Sequence, residues 1–511
     1  MSRSSLLSVA LCVTLLPACA GLPSLDDRTL SAALTDTGQT RLGNAVLPLT
    51  HEHPGQSGLL RLVNGRDAFA ARVRLADVAE RSLDVQYYIW HNDLTGTLLL
   101  DALRRAADRG VRVRLLLNDN GTRGLDDVIA ALVARPNIEV RLFNPFATRG
   151  WRGFESVVGF VRLNRRMHNK SFTADNQVTI VGGRNAGDAY FGAEADLLFI
   201  DLDVLAIGPV VADVSRDFDS YWASQSSYPA ERLIASAPAS SIAAVNAEAE
   251  RVERSPAAAA YAEAVAQQPL VRKMIERDVT FEWAVTYLVS DDPAKGRGGA
   301  EEDTFMWVRL KQLMKPPVTE LALVSAYFVP GEAGVQYLSS LARSGAKVSV
   351  LTNSLEATDV AAVHSGYAKW RQSLLASGVG LWEMKRSATA TSVQPPRSGG
   401  SSGSSLHTKT FEVDRAQVFI GSFNFDPRSR LLNTELGFVI DSSTMATDIS
   451  DSMSVRLAER AYRLRLGPTG SIQWVELLQG EEVVHDTEPG TTFWQRFGVG
   501  VLSVLPIEWL L

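Results

Sequence analysis

Cysteine is nearly absent from this chain: there are two in 511 residues, Cys12 and Cys19, both near the N-terminus. The body therefore has no thiols from which to build a disulfide framework. Histidine is also scarce, at seven, and there is no HExxH pattern and no Cys/His cluster, so no metal is expected. Basic charge is not in excess. Lys and Arg number 51 against 57 Asp and Glu, and the net charge of −6 argues against a nucleic-acid partner, which would want a basic face. Long apolar runs are missing too: Leu6–Leu16 and Gly498–Ile507 are both too short to span a bilayer.

What is present describes a folded protein of more than one domain. Apolar residues make up 46% and charged residues 21%, the balance of a globular chain, and the length suggests two to four domains. Arg3 followed by Leu6–Leu16 has the proportions of a secretory signal. Leu16-Pro17-Ala18-Cys19 resembles a bacterial lipobox, which makes residues 1–18 a lipoprotein signal peptide and Cys19 the expected lipidation site. Ala18-x-Ala20 also fits ordinary cleavage after Ala20. Residues 19–60 are polar with scattered Gly and Pro, and read as a tether.

One pattern occurs twice. His168-Asn169-Lys170-Ser171-Phe172-Thr173-Ala174-Asp175 is H-x-K-x4-D, and the same spacing returns at His407, Lys409 and Asp414. Each copy has a tail, Gly182-Gly183-Arg184-Asn185 and Gly421-Ser422-Phe423-Asn424. On a strand, positions i and i+2 share a face, so each His and Lys points into one pocket while Phe172 and Phe411 point to a core. Ala174-Asp175-Asn176-Gln177 is turn chemistry, so each motif reads as a hairpin with the Asp bracing its bend. Two hairpins face to face would set two His and two Lys around one anionic centre. That is equipment for double displacement at a phosphodiester, with a nucleophilic His, an acid/base His and cations on the non-bridging oxygens.

The surroundings of the motifs repeat as well. Helical spacing over 67–80, a strand over 83–90, a helix through Leu99 and Leu103 stopped by Gly110, and a strand over 111–117 precede a helix at about 124–134 and a strand at 138–143. In the second copy, strands at 321–328, 348–351 and 379–384 enclose a helix through Val335 and Leu338 and another over 360–377. The offsets Gly110 to Gly345, Tyr87 to Tyr327 and His168 to His407 are 235, 240 and 239. A near-constant offset implies duplicated halves about a pseudo-twofold axis, an α/β fold of mixed sheets flanked by helices. The expected divisions are 61–225 and 281–470 for the halves, a helical connection at 226–280, and a C-terminal tail at 471–511. That tail carries Trp494, Phe497 and Trp509 and reads either as packed core or as a segment in the lipid headgroup zone. Ser387–Ser405, rich in Ser and Gly, reads as a flap beside the second motif or as a plain surface loop.

Two H-x-K-x4-D motifs with G-[GS]-x-N tails resemble the phospholipase D superfamily. RLNRRMHNKSFT, VGGRNAGDAYF, NFDPRSRLLNTELGFVI and LPIEWLL are similar to the bacterial cardiolipin synthase C group, from about Ala45 onward. The resemblance implies a phosphatidyltransferase that makes cardiolipin from phosphatidylglycerol and a second phospholipid, phosphatidylglycerol or phosphatidylethanolamine, with no cofactor. It implies His168 as nucleophile, His407 as acid and base, and Lys170, Lys409, Asn185 and Asn424 on the phosphate. Ser422 would add a hydroxyl that Gly183 lacks in the first half. Glu435 is expected to orient a catalytic His, and Asp201 aligns with it across a five-residue insertion. Rival readings are a phospholipase D that hydrolyses phospholipid, a phosphodiesterase or nuclease on the same scaffold, and a lipid-binding lipoprotein without activity. Arg165 and Arg166 are candidates to extend the anion site. His91, Asn118-Asp119-Asn120, Asn353 and His364 are candidate substrate contacts. The expected location is the bacterial cell envelope, anchored through Cys19 and facing the periplasm.

Overall fold

Three adjacent parallel strands organise each half of the chain. In the computed structural model, which describes residues 21–193, 197–276, 278–386 and 403–511, the first set is Ser82–Tyr87, Arg112–Asn118 and Ile138–Phe143. The signal segment, Cys19 and Ser387–Ser402 lie outside the described residues. The crossover helix Leu94–Asp108 starts where the Asp93 side chain accepts from Gly96 N, and ends before Gly110, whose φ of +93° breaks it. It buries Leu99, Leu103 and Ala106 against the sheet, and Asp126–Val133 makes the second crossover. The first motif hairpin, Ser171–Ala174 with Val178–Gly182, adds antiparallel beside Ser82–Tyr87. Asp203–Ile207 and Ser57–Leu62 follow outward from it.

The second half repeats this order. Glu320–Ser325, Lys347–Asn353 and Gly380–Met384 are parallel, and the hairpin Lys409–Val413 with Gln417–Gly421 adds beside the first of them. Leu436–Asp441 and then Glu282–Ser290 continue outward. The outermost strands of the two series, Ser57–Leu62 and Glu282–Ser290, pair with each other around Gly58 and Trp283. Among the described residues the hydrogen-bonded ladder therefore runs through both halves, 18 strands, with its pseudo-twofold centre at that pair. Each half has its own core. A third apolar cluster joins them, with Val181, Val204 and Ala206 against Val418, Ile420 and Phe438. Burying each such aliphatic or Phe side chain stabilises by about 1.5–3 kcal/mol, so the halves are fused rather than loosely docked.

The structure departs from the sequence expectations in three places. Part of the presumed tether is packed: it forms the helix Arg41–His51 and the strand Ser57–Leu62. The carbonyls of Thr29 and Ser31 accept hydrogen bonds from the buried guanidiniums of Arg141 and Arg114. Those arginines alternate with apolar residues on their strands. The helix Pro209–Ala223 covers that face, and Arg114 pairs with Asp84 and Asp219, each at 2.7 Å. The helix read over 360–377 is two, Ala361–Ala368 and Arg371–Ala376. Finally, Ile472–Leu478 and Glu481–His485 are strands that extend the second sheet, so the tail proper begins later.

Candidate active site

Each motif is carried by one half and docked on the other. His168 N donates to Thr434 O, and His407 N donates to Ile200 O, both at 2.8 Å. The side chains of His168, Lys170, His407 and Lys409 are all buried. Each Lys acts electrostatically on both imidazoles, so the four form one group at the junction.

The motif acids are spent elsewhere. Asp175 and Asn176 have φ of 50° and 49°, and Gln177 N returns to Ala174 O at 3.0 Å, a type I′ hairpin turn. The Asp175 carboxylate accepts from the backbone N–H groups of Glu80, Arg81 and Ser82 at 2.8–3.0 Å. Asp414 does the same for Val318, Thr319 and Glu320 at 2.7–2.9 Å. These acids tie each hairpin to the start of the neighbouring parallel strand. Asp175→Ala should cost about 3 kcal/mol or more, because a carboxylate bond to buried N–H groups is lost several times over. Urea unfolding should show that loss, while kcat of the folded protein stays within a few-fold. A catalytic role would instead take kcat down with stability intact.

The orienting carboxylates cross between the halves. Glu435 Oε2 lies 2.8 Å from His168 Nδ1, and Asp201 Oδ2 lies 2.6 Å from His407 Nδ1. When ionised, each carboxylate only accepts, and in that form it holds the proton on Nδ1 and leaves Nε2 of each ring facing away from the acid. The difference between Gly183 and Ser422 has its cause here. Ser422 Oγ donates to Glu435, whereas a side chain at position 183 would meet Asp201 Oδ1 at 2.2 Å. The shorter acid sits closer to the strand and takes Leu202 N at 2.8 Å in place of a serine hydroxyl. Ser422 thus serves the carboxylate in this structure.

Electrostatically the two pairs differ. Burial and the Lys170 and Lys409 ammonium groups push His168 well below its ordinary value, and burial with Lys409 pushes His407 down to about 4. Burial, opposed by Lys170 and Ser422, raises Glu435 to about 7. Burial also opposes ionisation of Asp201, but His407 and Lys409 outweigh it and hold that acid below the usual carboxylate range. A raised folded-state value means the native protein binds this proton more tightly than the unfolded chain does. Stability therefore falls as pH rises from 4.5 to about 7. The loss is about 3 kcal/mol at 1.36 kcal/mol per unit. Glu435→Gln should accordingly match the parent at pH below 4.5 and exceed its stability by up to that amount at alkaline pH, as read by urea unfolding at both ends.

Burial lowers both lysines, Lys170 strongly, and each donates to its own motif's His carbonyl. A bound phosphate anion would favour the charged ammonium of each. Two tyrosines, Tyr88 and Tyr190, complete the walls. Tyr88 meets His168 edge-on with centroids 4.7 Å apart and lies 5.3 Å from Lys170 Nζ, and Tyr190 meets His407 at 5.3 Å. Asn185 donates to Tyr190 Oη at 3.0 Å and accepts from Ile89 N at 3.2 Å, and Asn424 accepts from Tyr327 N at 3.3 Å.

Tyr88 and Tyr190 had no role in the sequence reading. No repeat signal marked Tyr88, because its counterpart in the second half is Ala326. The repeat partner of Tyr327 is Ile89, since the N–H groups of Ile89 and Tyr327 donate to Asn185 and Asn424 in turn, and Tyr87, expected as that partner, points into the core, where its hydroxyl accepts from Arg72 at 2.6 Å. A buried ion pair, Lys295 with Asp291 at 2.9 Å, supports Glu435 from behind, since Asp291 also accepts Glu435 N at 2.9 Å. Other candidates are scaffold. Asn353 clamps Leu406 on both sides at 2.9 Å, and His364 joins Glu488 at 3.0 Å beside Arg371. Asp119 accepts from Phe146 N and pairs with Arg149. His91 stacks on Tyr190 at 6.4 Å, at the edge of the site. Arg165 donates to the carbonyls of Lys295 and Leu431, and Arg166 lies over Phe146 at 5.2 Å.

The two halves have relatives. The family described as "Cardiolipin synthase, PLD-like domain" matches twice, over residues 73–222 and 310–456. Cardiolipin synthase C of Escherichia coli (strain K12) is 50% identical over 479 residues, covering 92% of this chain and 100% of that one. Cardiolipin synthase A of Pseudomonas syringae pv. syringae (strain B728a) is 30% identical over 168 residues, 32% of this chain and 33% of that one. The crystal structure of phosphatidylserine synthase from Haemophilus influenzae Rd KW20 shares the fold, with TM-score 0.52 at 13% identity over 80% of this chain and 87% of that one. The chain belongs to the phospholipase D superfamily, and within it to the cardiolipin synthase-like proteins.

Proposed function

We propose that this chain, a phosphatidyltransferase by its family, makes cardiolipin through a covalent phosphohistidine. The observation that carries this reading is the pair of imidazole–carboxylate dyads, His168 with Glu435 and His407 with Asp201, closed at one buried junction. His168 Nε2 attacks the phosphorus of a donor phospholipid. The bond from phosphorus to the headgroup oxygen breaks as His407, protonated with the anionic substrate beside it, gives its proton to the leaving alcohol. The now neutral His407 takes the proton from a glycerol hydroxyl of phosphatidylglycerol, whose oxygen displaces His168 from phosphorus. The products are cardiolipin and the donor's headgroup alcohol. No proton or electron is left over, and no cofactor enters.

Lys170 and Lys409 are assigned to the non-bridging oxygens, with Asn185 and Asn424 donating amide hydrogens to the same atoms. Ser422 is assigned to Glu435 and acts on the phosphate only through it. The donor is phosphatidylglycerol or phosphatidylethanolamine. Among the described residues no helix is long and apolar enough to cross a membrane, and attachment to the cell envelope is assigned to a lipid on Cys19, with the site facing the periplasm.

The test is lipid analysis after incubating protein that begins at Gly21 with phosphatidylglycerol, alone and with phosphatidylethanolamine, in mixed micelles. Cardiolipin should form only with intact His168, and the second lipid's effect identifies the donor. Phosphatidic acid without cardiolipin would make the enzyme a hydrolase.

A further inference from the structure

Two apolar stretches stand exposed on this protein, and a single arginine ties them together. The first follows the turn Arg149–Trp151 through the short helices Arg152–Val158 and Phe160–Leu163. It presents Trp151, Phe154, Val157, Phe160 and Val161 to solvent, with Trp151 74% and Val161 80% exposed. The second is the helix Phe493–Ser503, begun by the Thr492–Gln495 capping box, with the turn that follows it. Phe493, Trp494, Phe497, Val504 and Trp509 are exposed there, and the first three rings pack on one another in the open. Solvent-facing rings clustered at two sites of one chain call for a partner.

Arg428 joins these stretches. Its Nη1 donates to Asn164 O at 3.0 Å and its Nε to Leu510 O at 3.0 Å, while its backbone N donates to Leu511 O at 2.9 Å. The first stretch runs directly into one catalytic segment, and the second is hydrogen-bonded to the other through Arg428. Asn164 stands four residues before His168, and Arg428 four after Asn424. The apolar face is thus continuous with the elements that build the active site.

The charges fit one kind of partner. Residues 149–163 hold a single acid, Glu155, and residues 491–511 a single acid, Glu508, in a chain with 57. Both are turned in. Glu155 accepts from Ala147 N at 2.9 Å and Thr148 N at 2.8 Å and pairs with Arg162, and Glu508 is held by Lys369 and Trp370 Nε1. No free side-chain carboxylate on either stretch would repel a lipid phosphate. Arg149 and Arg152 are already paired with Asp119 and Asp126, so the rings and aliphatic groups, rather than net charge, carry the binding. Exposed Trp and Phe beside aliphatic side chains suit the boundary between headgroups and acyl chains.

We propose that residues 149–163 and 491–511 form one docking face for a phospholipid bilayer, clamped at Arg428, that holds the active site against the membrane surface. This rests on the reading that the substrates are phospholipids. An amphiphile whose phosphate must reach a buried His gains from a protein seated where that phosphate already lies.

The experiment uses the protein from Gly21 onward, so that no lipid anchor contributes. Co-sedimentation with phosphatidylglycerol–phosphatidylethanolamine vesicles is compared for the parent, W151D/F154D and W494D/F497D. All four residues are exposed, so both variants should keep the parent's unfolding midpoint. Each double substitution should lower vesicle affinity about tenfold or more, because binding scales with the apolar area inserted. Salt should matter little, and brominated acyl chains should quench the parent's Trp fluorescence. Turnover of a short-chain, monomerically dissolved phosphatidylglycerol should be unchanged in both variants. Parental vesicle binding by both variants would overturn the proposal. So would a dimeric parent that the substitutions dissociate in the absence of lipid, since the face would then join two copies. If vesicle binding behaves as expected while no form of the enzyme yields cardiolipin, the docking face stands and the proposed reaction fails.

Discussion

His168→Ala lowers kcat for cardiolipin formation by on the order of 10^4-fold or more, the scale seen when a covalent nucleophile is removed. Loss of activity alone would not separate His168 from His407, because the two motifs are near copies and both rings are buried beside both lysines. The separating measurement uses a phosphodiester whose leaving group needs no proton, such as a nitrophenyl ester. With that donor, His407→Ala should still release nitrophenol in a burst equal to the enzyme present. It should then stall, because no base remains to activate the acceptor hydroxyl. His168→Ala should give no burst. The trapped enzyme should carry acid-labile, base-stable phosphorus on His168. A burst from the His168 variant and none from the His407 variant would exchange the two roles and leave the rest of the mechanism intact.

The second large effect concerns the crossing. Glu435 lies in the same half as His407 but holds His168, while Asp201 lies with His168 but holds His407. Glu435→Gln and Asp201→Asn should each cost about 10^3–10^4 in kcat, the scale of losing the carboxylate behind a catalytic imidazole. An amide cannot offset the positive charge that grows on the ring as Nε2 reacts, and its NH2 group favours the wrong tautomer. The crossing predicts how these losses divide. With the nitrophenyl donor, Glu435→Gln should abolish the burst as His168→Ala does, and Asp201→Asn should keep the burst and stall afterwards as His407→Ala does. Combining Glu435→Gln with His168→Ala should add almost nothing, since residues that act as a unit are not additive. If Asp201→Asn removes the burst instead, each carboxylate serves the motif of its own half. Glu435→Gln has the further property of gaining stability at alkaline pH while losing activity, the signature of a buried group kept for function.

Much of the site is legible without coordinates because it depends on short-range periodicity. The i, i+2 spacing of His168 and Lys170 places both on one strand face whatever the rest of the chain does. The two successive positive φ values at Asp175 and Asn176 follow from turn residues that tolerate them. The parallel strands and crossovers of each half follow from apolar periods that stop at Gly110 and Gly345, and the near agreement of that offset, 235, with the 239 between His168 and His407 implies a duplication. Strand alternation left the surroundings of Arg114 open for an equally physical reason. Alternation reports that two faces differ and is silent on whether the polar face meets water or, as here, Asp84, Asp219 and a covering helix.

By itself, then, the sequence determined the two hairpins, the residues they present, the duplicated α/β halves and the family. The tertiary structure alone decided which carboxylate serves which imidazole, why position 183 is Gly where its repeat is Ser422, and which Tyr stands beside His168. It also brought the 149–163 segment and the C-terminus together at Arg428. The crossing of the carboxylates and the junction at Arg428 depend on contacts between residues more than 200 positions apart, such as His168 with Glu435 and Asn164 with Arg428, 267 and 264 positions apart. No local period encodes such a contact. It is set by how the two sheets meet across the apolar cluster of Val181, Val204, Ile420 and Phe438, and a packing direction exists only once both halves have folded.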